Sequence, residues 1–256
     1  MIDFHSHIIP GIDDGSESVE MSLEMLRLSA QHGVTDVLAT PHCYPRYPES
    51  IDHLIERRAR GMDNLSQAVA ESDMSLPKLH LGCEVNMYTD IAEFDNISKL
   101  CIENTDYIMI EMPYDPWKEW MIDAVYKLTV RGLKPVMAHI DRFLMQDKAM
   151  LSSLYELDVI YQVNAELFTE RRMAKFADKL LSEGHAHVLG TDMHNLSARR
   201  PNMGDAYEII LKRYGEECVE FFTKNASRLL NNEPVASLYF ELPEKTSFFG
   251  RFRKNK

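Results

Sequence analysis

Cysteine and tryptophan are scarce in this chain of 256 residues, with four of the first (Cys43, Cys83, Cys101, Cys218) and two of the second. No two cysteines have C-x-x-C spacing, so neither a thiolate zinc site nor a disulfide framework is indicated. No apolar stretch approaches the ~20 residues that span a bilayer. Asp3, His5 and His7 interrupt the region where a secretory leader would need an unbroken apolar core. A cytoplasmic location is the expectation. Positive charge is also in deficit: 28 Lys and Arg face 40 Asp and Glu, for a formal net charge of −12. That balance argues against broad nucleic-acid binding, which needs a basic face to displace counterions. It does not exclude an anionic substrate, because bound divalent cations reverse the local field of an acidic protein. Internal repeats and low-complexity linkers are missing as well, which leaves one α/β domain of ordinary barrel length.

What the chain has is a recurrent pattern. Seven short apolar runs each end in a residue able to hold a metal or to stand beside one. Residues 2–4 run into His5-Ser6-His7, 37–40 into Pro41-His42, and 79–83 into Glu84. Residues 107–110 run into Glu111, 136–138 into His139, 160–163 into Asn164, and 188–191 into Asp192-Met193-His194. Between them lie amphipathic stretches, so the order reads as repeated βα units around parallel strands. The spacing of Val19, Leu23, Leu26 and Ala30 predicts a first helix, capped by Ser16 or Ser18 and stopped by Gly33. Further helices are predicted over residues 51–72, 119–130, 172–183, 206–214 and 216–230.

Histidine nitrogen and carboxylate oxygen are the ligands of divalent-metal hydrolases. Alternate residues of a strand share a face, so His5 and His7 form one ligand pair and Asp192 and His194 another. These pairs lie at opposite ends of the sequence and meet only if the sheet curls on itself. Glu84 has two oxygens with which to bridge ions, and Asp14, His42, Glu111 and His139 take the ligand count beyond a mononuclear site. A lone strand-end histidine is more often a polar rim residue, and His32, His53, His80, His185 and His187 are read that way. Asp14 has a competing reading as a helix cap, and Asp13 competes with it as a ligand. For the whole set the bland reading is weak, because independent rim residues have no reason to occupy nearly every strand end.

The segments MIDFHSHIIPGIDDGS, VLATPHCYP, GCEVNMY, IMIEMP, PVMAHIDR and GTDMHNLSARRPNM run from Met1 to about Leu230. Together they resemble the polymerase-and-histidinol-phosphatase (PHP) superfamily, and within it the bacterial CpsB/CapC-type tyrosine-protein phosphatases. The resemblance implies a distorted (β/α)7 barrel over residues 1–244. It implies one ion held by His5, His7, Glu84 and Asp192, a second by Glu84, Glu111 and His139, and a third by Asp14, His42 and His194. Manganese is the implied metal, with iron, zinc and magnesium as alternatives. Arg142 and Arg199 would clamp the phosphate, Arg200 being the alternative to Arg199. The implied substrate is a phosphotyrosine protein, the tail of a bacterial tyrosine kinase controlling capsule or exopolysaccharide production. Another PHP phosphoesterase, acting on histidinol phosphate or small phosphomonoesters, is the enzyme alternative; a non-catalytic kinase-binding regulator is the alternative of another class. Residues 245–256 match no family segment; five of them are basic, none is acidic and three are Phe. This end is expected to be a flexible tail.

A cysteine-nucleophile phosphatase needs an arginine at fixed spacing after its thiolate. Six residues beyond the four cysteines stand Glu49, Thr89, Tyr107 and Lys224, which argues against covalent thiolate chemistry. Accordingly, Cys43→Ser and Cys83→Ser are expected to retain substantial phosphatase turnover. Loss of turnover in either variant with metal content intact would restore a thiolate mechanism.

Overall fold

The computed structural model describes residues 1–240; the basic segment 245–256 and the predicted domain end at 244 lie outside them. The strands are β1 (Ile2–Ser6), β2 (Asp36–Ala39), β3 (His42–Cys43), β4 (Lys78–Leu81), β5 (Glu84–Asn86), β6 (Tyr107–Glu111), β7 (Lys134–Met137), β8 (Ile160–Asn164) and β9 (Val188–Gly190). All of their pairings are parallel, in the orders β1-β2-β4 and β3-β5-β6-β7-β8-β9. Pro41, which has no N–H, separates β2 from β3, and Gly82-Cys83 separates β4 from β5. The Gly82 N–H still donates to Ala39 O at 2.8 Å and the Glu84 N–H to Pro41 O at 3.1 Å. The two sets therefore continue into one curled sheet.

Its first and last strands adjoin. Asp192 N–H donates to His5 O at 2.8 Å, His7 N–H donates to Met193 O at 2.9 Å, and Ser6 bridges Met193 in parallel. Beneath this seam Asp3 accepts the Thr191 N–H at 2.8 Å and the Thr191 hydroxyl at 2.5 Å. Burial raises the Asp3 pKa to about 6 in spite of those donors. β1 and β6 are buried at every position, as expected of parallel strands covered on both faces.

Eight helices cover the sheet among the described residues: α1 (Val19–Gln31), α2 (Pro48–Glu71), α3 (Glu119–Val130), α4 (Lys148–Tyr155), α5 (Glu166–Thr169), α6 (Ala174–Ser182), α7 (Met203–Tyr214) and α8 (Glu216–Leu230). Ser18 is the cap of α1, accepting the Met21 N–H, while Ser16 donates to Ser18 O instead. α3 and α8 match their predicted bounds. α2 starts earlier than predicted, at Pro48, whose missing N–H suits a first turn. α6 starts later, after a 3-10 turn at Arg171–Met173. α4 and α5 have no counterpart among the predicted helices, being too short for an apolar period to register.

The closeness of β9 to β1 has a measurable cost if disturbed. A Cβ on Gly190 would stand 2.5 Å from His5 Cβ and 2.8 Å from His5 N. Gly190→Ala is expected to lose about 1–3 kcal/mol of stability through overpacking, read as a lower urea midpoint on chelator-treated protein. An unchanged midpoint would show that the seam relaxes freely.

Candidate metal centre

The strand ends, with Asp14 from the loop between β1 and α1, bring all nine predicted ligand side chains to one place. His5 Nε2 and His7 Nε2 are 3.2 Å apart. They lie 3.4 and 3.2 Å from Glu84 Oε2, and 3.6 and 3.3 Å from Asp192 Oδ1. His139 Nε2 is 2.7 Å from Glu84 Oε1 and 3.7 Å from Glu111 Oε1. Asp14 Oδ1 is 3.4 Å from His42 Nε2 and 3.5 Å from His194 Nε2. The groups also share members: His42 Nδ1 is 2.9 Å from Glu84 Oε2, and His7 lies within reach of Asp14, His42 and His194. Donor atoms about 2.1 Å from one ion stand about 3.0–3.4 Å from each other, close to the spacing around His5, His7 and Glu84.

Two of these side chains sit on unusual backbone. His139 has φ +32° and Asp192 φ +54°, the left-handed region that residues other than glycine seldom occupy. The His139 N–H donates to Gln162 Oε1 at 2.6 Å, and the Asp192 N–H is held by β1. Such conformations persist where the surroundings over-determine them, commonly at functional sites.

A layer behind the ligands aims them. Asp13 Oδ2 accepts from His7 Nδ1 at 2.8 Å and from the His42 N–H at 2.9 Å. Gln162 Oε1 pairs with His5 Nδ1 at 3.0 Å, and Asn86 donates to Glu111 Oε2 at 2.9 Å. His194 Nδ1 donates to the Asp192 carbonyl at 2.9 Å. Of the two adjacent acids, Asp14 is thus grouped with His7, His42 and His194, while Asp13 stands behind His7 and His42, a carboxylate–histidine pairing of the kind found at metal sites. Gln162 and Asn86, which hydrogen-bond His5, His139 and Glu111, are positions beside the cluster that the sequence reading missed. Each lies two residues from a strand-end position (Asn164 and Glu84), on the same strand face.

Charge at the centre is unbalanced in a way that suits a cation. Burial disfavours charge on His5 and His7. Glu84 and Asp192 beside His5, and Asp13, Asp192 and Glu84 around His7, nevertheless raise both above the ordinary 6.5. Against their own burial, Glu84 is held well below the carboxylate range by His5, His139 and His42, and Asp192 by His5, His7 and Arg142. His194 moves the opposite way, pushed down to about 4 by burial and by His7. Glu84 Oε2, Asp192 Oδ1, His42 Nδ1 and His194 Nε2 are buried close to oppositely charged or polar groups, yet none makes a well-aligned hydrogen bond among the described residues. Buried polar atoms are ordinarily paired, and divalent ions would satisfy all four. The residues fit the implied metals: nitrogen and oxygen donors, with no thiolate among them.

Arg142 and Arg199 reach the same atom, Asp192 Oδ2, Arg199 at 2.5 Å. Arg200 instead pairs with Asp205 at 3.0 Å, so Arg199 is the arginine at the site. Both guanidiniums line a cavity of about 260 Å³ together with Asp14, His42 and Glu111. The five histidines given bland roles stay out of the cluster; His80, for example, pairs with Asp36 at 2.8 Å.

A sequence profile of the family described as "Capsular polysaccharide synthesis, CpsB/CapC" matches residues 1–231. The chain belongs to the CpsB/CapC family. Tyrosine-protein phosphatase YwqE of Bacillus subtilis (strain 168) is 28% identical, with 98% of this chain and 100% of that protein aligned. Tyrosine-protein phosphatase CpsB of Streptococcus agalactiae is 29% identical, with 92% and 100% aligned. A solved structure from work on YwqE of B. subtilis and CpsB of Streptococcus pneumoniae, described as unique metal-dependent tyrosine phosphatases, matches with a TM-score of 0.78 and 25% identity. It covers 96% of this chain and 100% of its own. The α/β fold and its curled parallel sheet are thus shared with a metal-dependent CpsB/CapC phosphatase.

Metal binding at this centre must compete with protons. Because His5 and His7 have raised pKa values, they gain protons as pH falls, beginning above 6.5, and a protonated imidazole cannot bind an ion. Manganese affinity of the chelated protein, measured by calorimetry, is expected to fall steadily with pH across that range. At pH 8, Asp13→Asn should weaken affinity about 10–100-fold. A flat pH dependence, or an unaffected Asp13→Asn variant, would contradict this account of the centre.

Proposed function

We propose that this CpsB/CapC-family chain is a metal-dependent protein-tyrosine phosphatase. Its substrate in this reading is a phosphotyrosine protein, the tail of a bacterial tyrosine kinase that controls capsular or exopolysaccharide synthesis. The observation that carries the reading is the meeting of two arginines with a cluster of nine candidate metal-ligand side chains, joined through Asp192, at a cavity that Asp14, His42 and Glu111 line beside the arginines. In support, the relatives aligned over nearly the whole chain are named tyrosine-protein phosphatases. We further read the curled sheet as a distorted (β/α)7 barrel forming one domain over residues 1–244, with β2–β3 and β4–β5 each counted as one interrupted strand. A cytoplasmic location goes with this reading.

His5, His7, Glu84 and Asp192 would hold one divalent ion, Glu84, Glu111 and His139 a second, and Asp14, His42 and His194 a third, manganese being the metal proposed. Bound ions of this kind acidify water, grip a phosphoryl oxygen and neutralise charge on the leaving oxygen. Arg142 and Arg199 present forked donors to the other phosphate oxygens, and their shared contact with Asp192 Oδ2 fixes them beside the ligands. The leaving phenolate needs little protonation, since the reference pKa of tyrosine is about 10. No cysteine borders the cavity among the described residues, in keeping with direct hydrolysis. A pure kinase-binding regulator would have no use for so many buried ligands.

The test is phosphate release from a phosphotyrosine peptide and from histidinol phosphate, before and after chelation, with metal content measured on the same preparation. Activity on the peptide that requires more than one ion per chain is the expected result. Full activity with a single ion would remove the multinuclear centre, and a preference for histidinol phosphate would move the enzyme to that branch of the superfamily. Arg142→Ala should lower kcat/KM about 10²–10³-fold with metal content nearly unchanged, whereas Glu84→Ala should lose metal and activity together. Equal metal loss in both variants would deny Arg142 its phosphate role.

A further inference from the structure

Next to the cavity lined by Asp14, His42 and Glu111 is a larger one of about 580 Å³, bordered by Tyr44, Pro45, Arg46, Asn86, Tyr88 and Thr89. Tyr44, Asn86 and Tyr88 border both, so the two form one continuous cleft. Large aromatic side chains normally hide most of their area, yet Tyr44, Tyr88 and Tyr114 around the metal-side mouth are 49%, 62% and 64% exposed. Two of the rings are braced from within. Tyr44 packs on His42 with centroids 5.5 Å apart, and Tyr114 packs on Phe143 at 5.5 Å. Phe143 is itself wedged against Trp117 and His139. The free area therefore belongs to held surfaces, the kind on which another aromatic ring gains by stacking. Among the residues bordering the larger cavity, Arg46 alone is charged, and it is exposed.

These features point outward from the phosphate position. A phosphate seated on Arg142 and Arg199 would share its cavity with Tyr44, Tyr88 and Tyr114, which would leave the three rings within reach of its ester group. An aryl ester meets them face or edge on, and an alkyl ester does not. A peptide carrying that aryl group must continue away from the metals, and the open continuation is the apolar cavity with one cation on its border. In a chain of net charge −12, that cation provides a local preference for negative charge.

We propose that Tyr44, Tyr88 and Tyr114 form an aryl-binding rim and that the adjoining cavity seats the residue flanking phosphotyrosine in an extended peptide, with Arg46 selecting an acidic side chain there. This inference rests on the phosphatase reading and names what that site prefers. Its test uses the full, manganese-loaded chain and its Tyr88→Leu and Arg46→Glu variants. The substrates are phenyl phosphate, glycerol phosphate and two phosphotyrosine peptides that differ in a flanking Glu or Lys.

Tyr88→Leu is expected to lower kcat/KM for phenyl phosphate about three- to tenfold more than for glycerol phosphate, the range of one aromatic pair. Arg46→Glu should reduce the Glu-over-Lys peptide preference about two- to fivefold, the scale of an exposed ion pair. Equal losses on the two small esters would overturn the rim, and an unchanged peptide ratio would overturn the role of Arg46. If the unaltered protein releases phosphate from none of the substrates, the phosphatase reading fails separately. The cleft is then judged by fluorescence anisotropy with phosphonate versions of the two peptides. Weaker binding of the Glu-flanked phosphonate by both variants would uphold the cleft, and unaltered binding would remove it.

Discussion

The seam between β1 and β9 is the constraint on which the rest depends. His5-Ser6-His7 and Asp192-Met193-His194 are separated by nearly the whole described chain, and neither pair makes a centre alone. Two backbone hydrogen bonds set their relative height, Asp192 N–H to His5 O and His7 N–H to Met193 O. Asp3 and Thr191 lock the strands one layer below. The contact leaves no room for a side chain at Gly190. Ligand geometry at the rim is thus a consequence of backbone register, which is stiffer than any arrangement of side chains on loops.

Asp192 connects the two halves of the chemistry. Its Oδ1 faces His5 and His7, while its Oδ2 faces Arg142 and Arg199. One carboxylate thereby sets the distance between the cluster of nitrogen and oxygen donors and the two guanidiniums. Its left-handed backbone keeps both oxygens in position, and a glycine there would permit the fold while losing the linkage. Glu84 plays a comparable part between His5, His7, His42 and His139. The centre consequently behaves as a single unit whose members do not contribute independently.

Much of this was legible in the sequence because a parallel sheet buries both faces of its strands. The runs before His5, Glu84, Glu111, His139 and Asp192 stand out as short apolar blocks, and the polar residue that ends each block marks the rim. The helices α3 and α8 were readable from their apolar period, α3 also from the glycine stop at Gly132. Other features carry no such signature. Asp13 and Asp14 are chemically identical neighbours, and only the path of the loop decides which one joins His42 and His194 and which one stands behind His7. Gln162 and Asn86 act through hydrogen bonds made across strands, which a linear pattern cannot display. Arg199 and Arg200 are likewise equal on paper; the surface partner Asp205 claims the second. The interruptions at Pro41 and Gly82 split strands that the apolar pattern presents as continuous. The tyrosines of the rim come from three separate loops and acquire meaning only when the sheet curls them together.

The joining of the first strand to the last also has a kinetic side. During synthesis β1 emerges well before β9, carrying Asp3, Phe4 and His5, with His7 just beyond it, all buried in the finished molecule. Its partner β2 follows soon, but the other edge of β1 stays open until Thr191–His194 has left the ribosome. Contacts of such long sequence separation form late, because loop closure must precede any gain from them. Between the emergence of β1 and that of β9 the chain holds an unpaired apolar strand edge of the kind that recruits other chains. A nascent or truncated chain lacking β9 would therefore be prone to aggregation and without a completed ion site, so that the risk of misassembly and the onset of function end at the same segment.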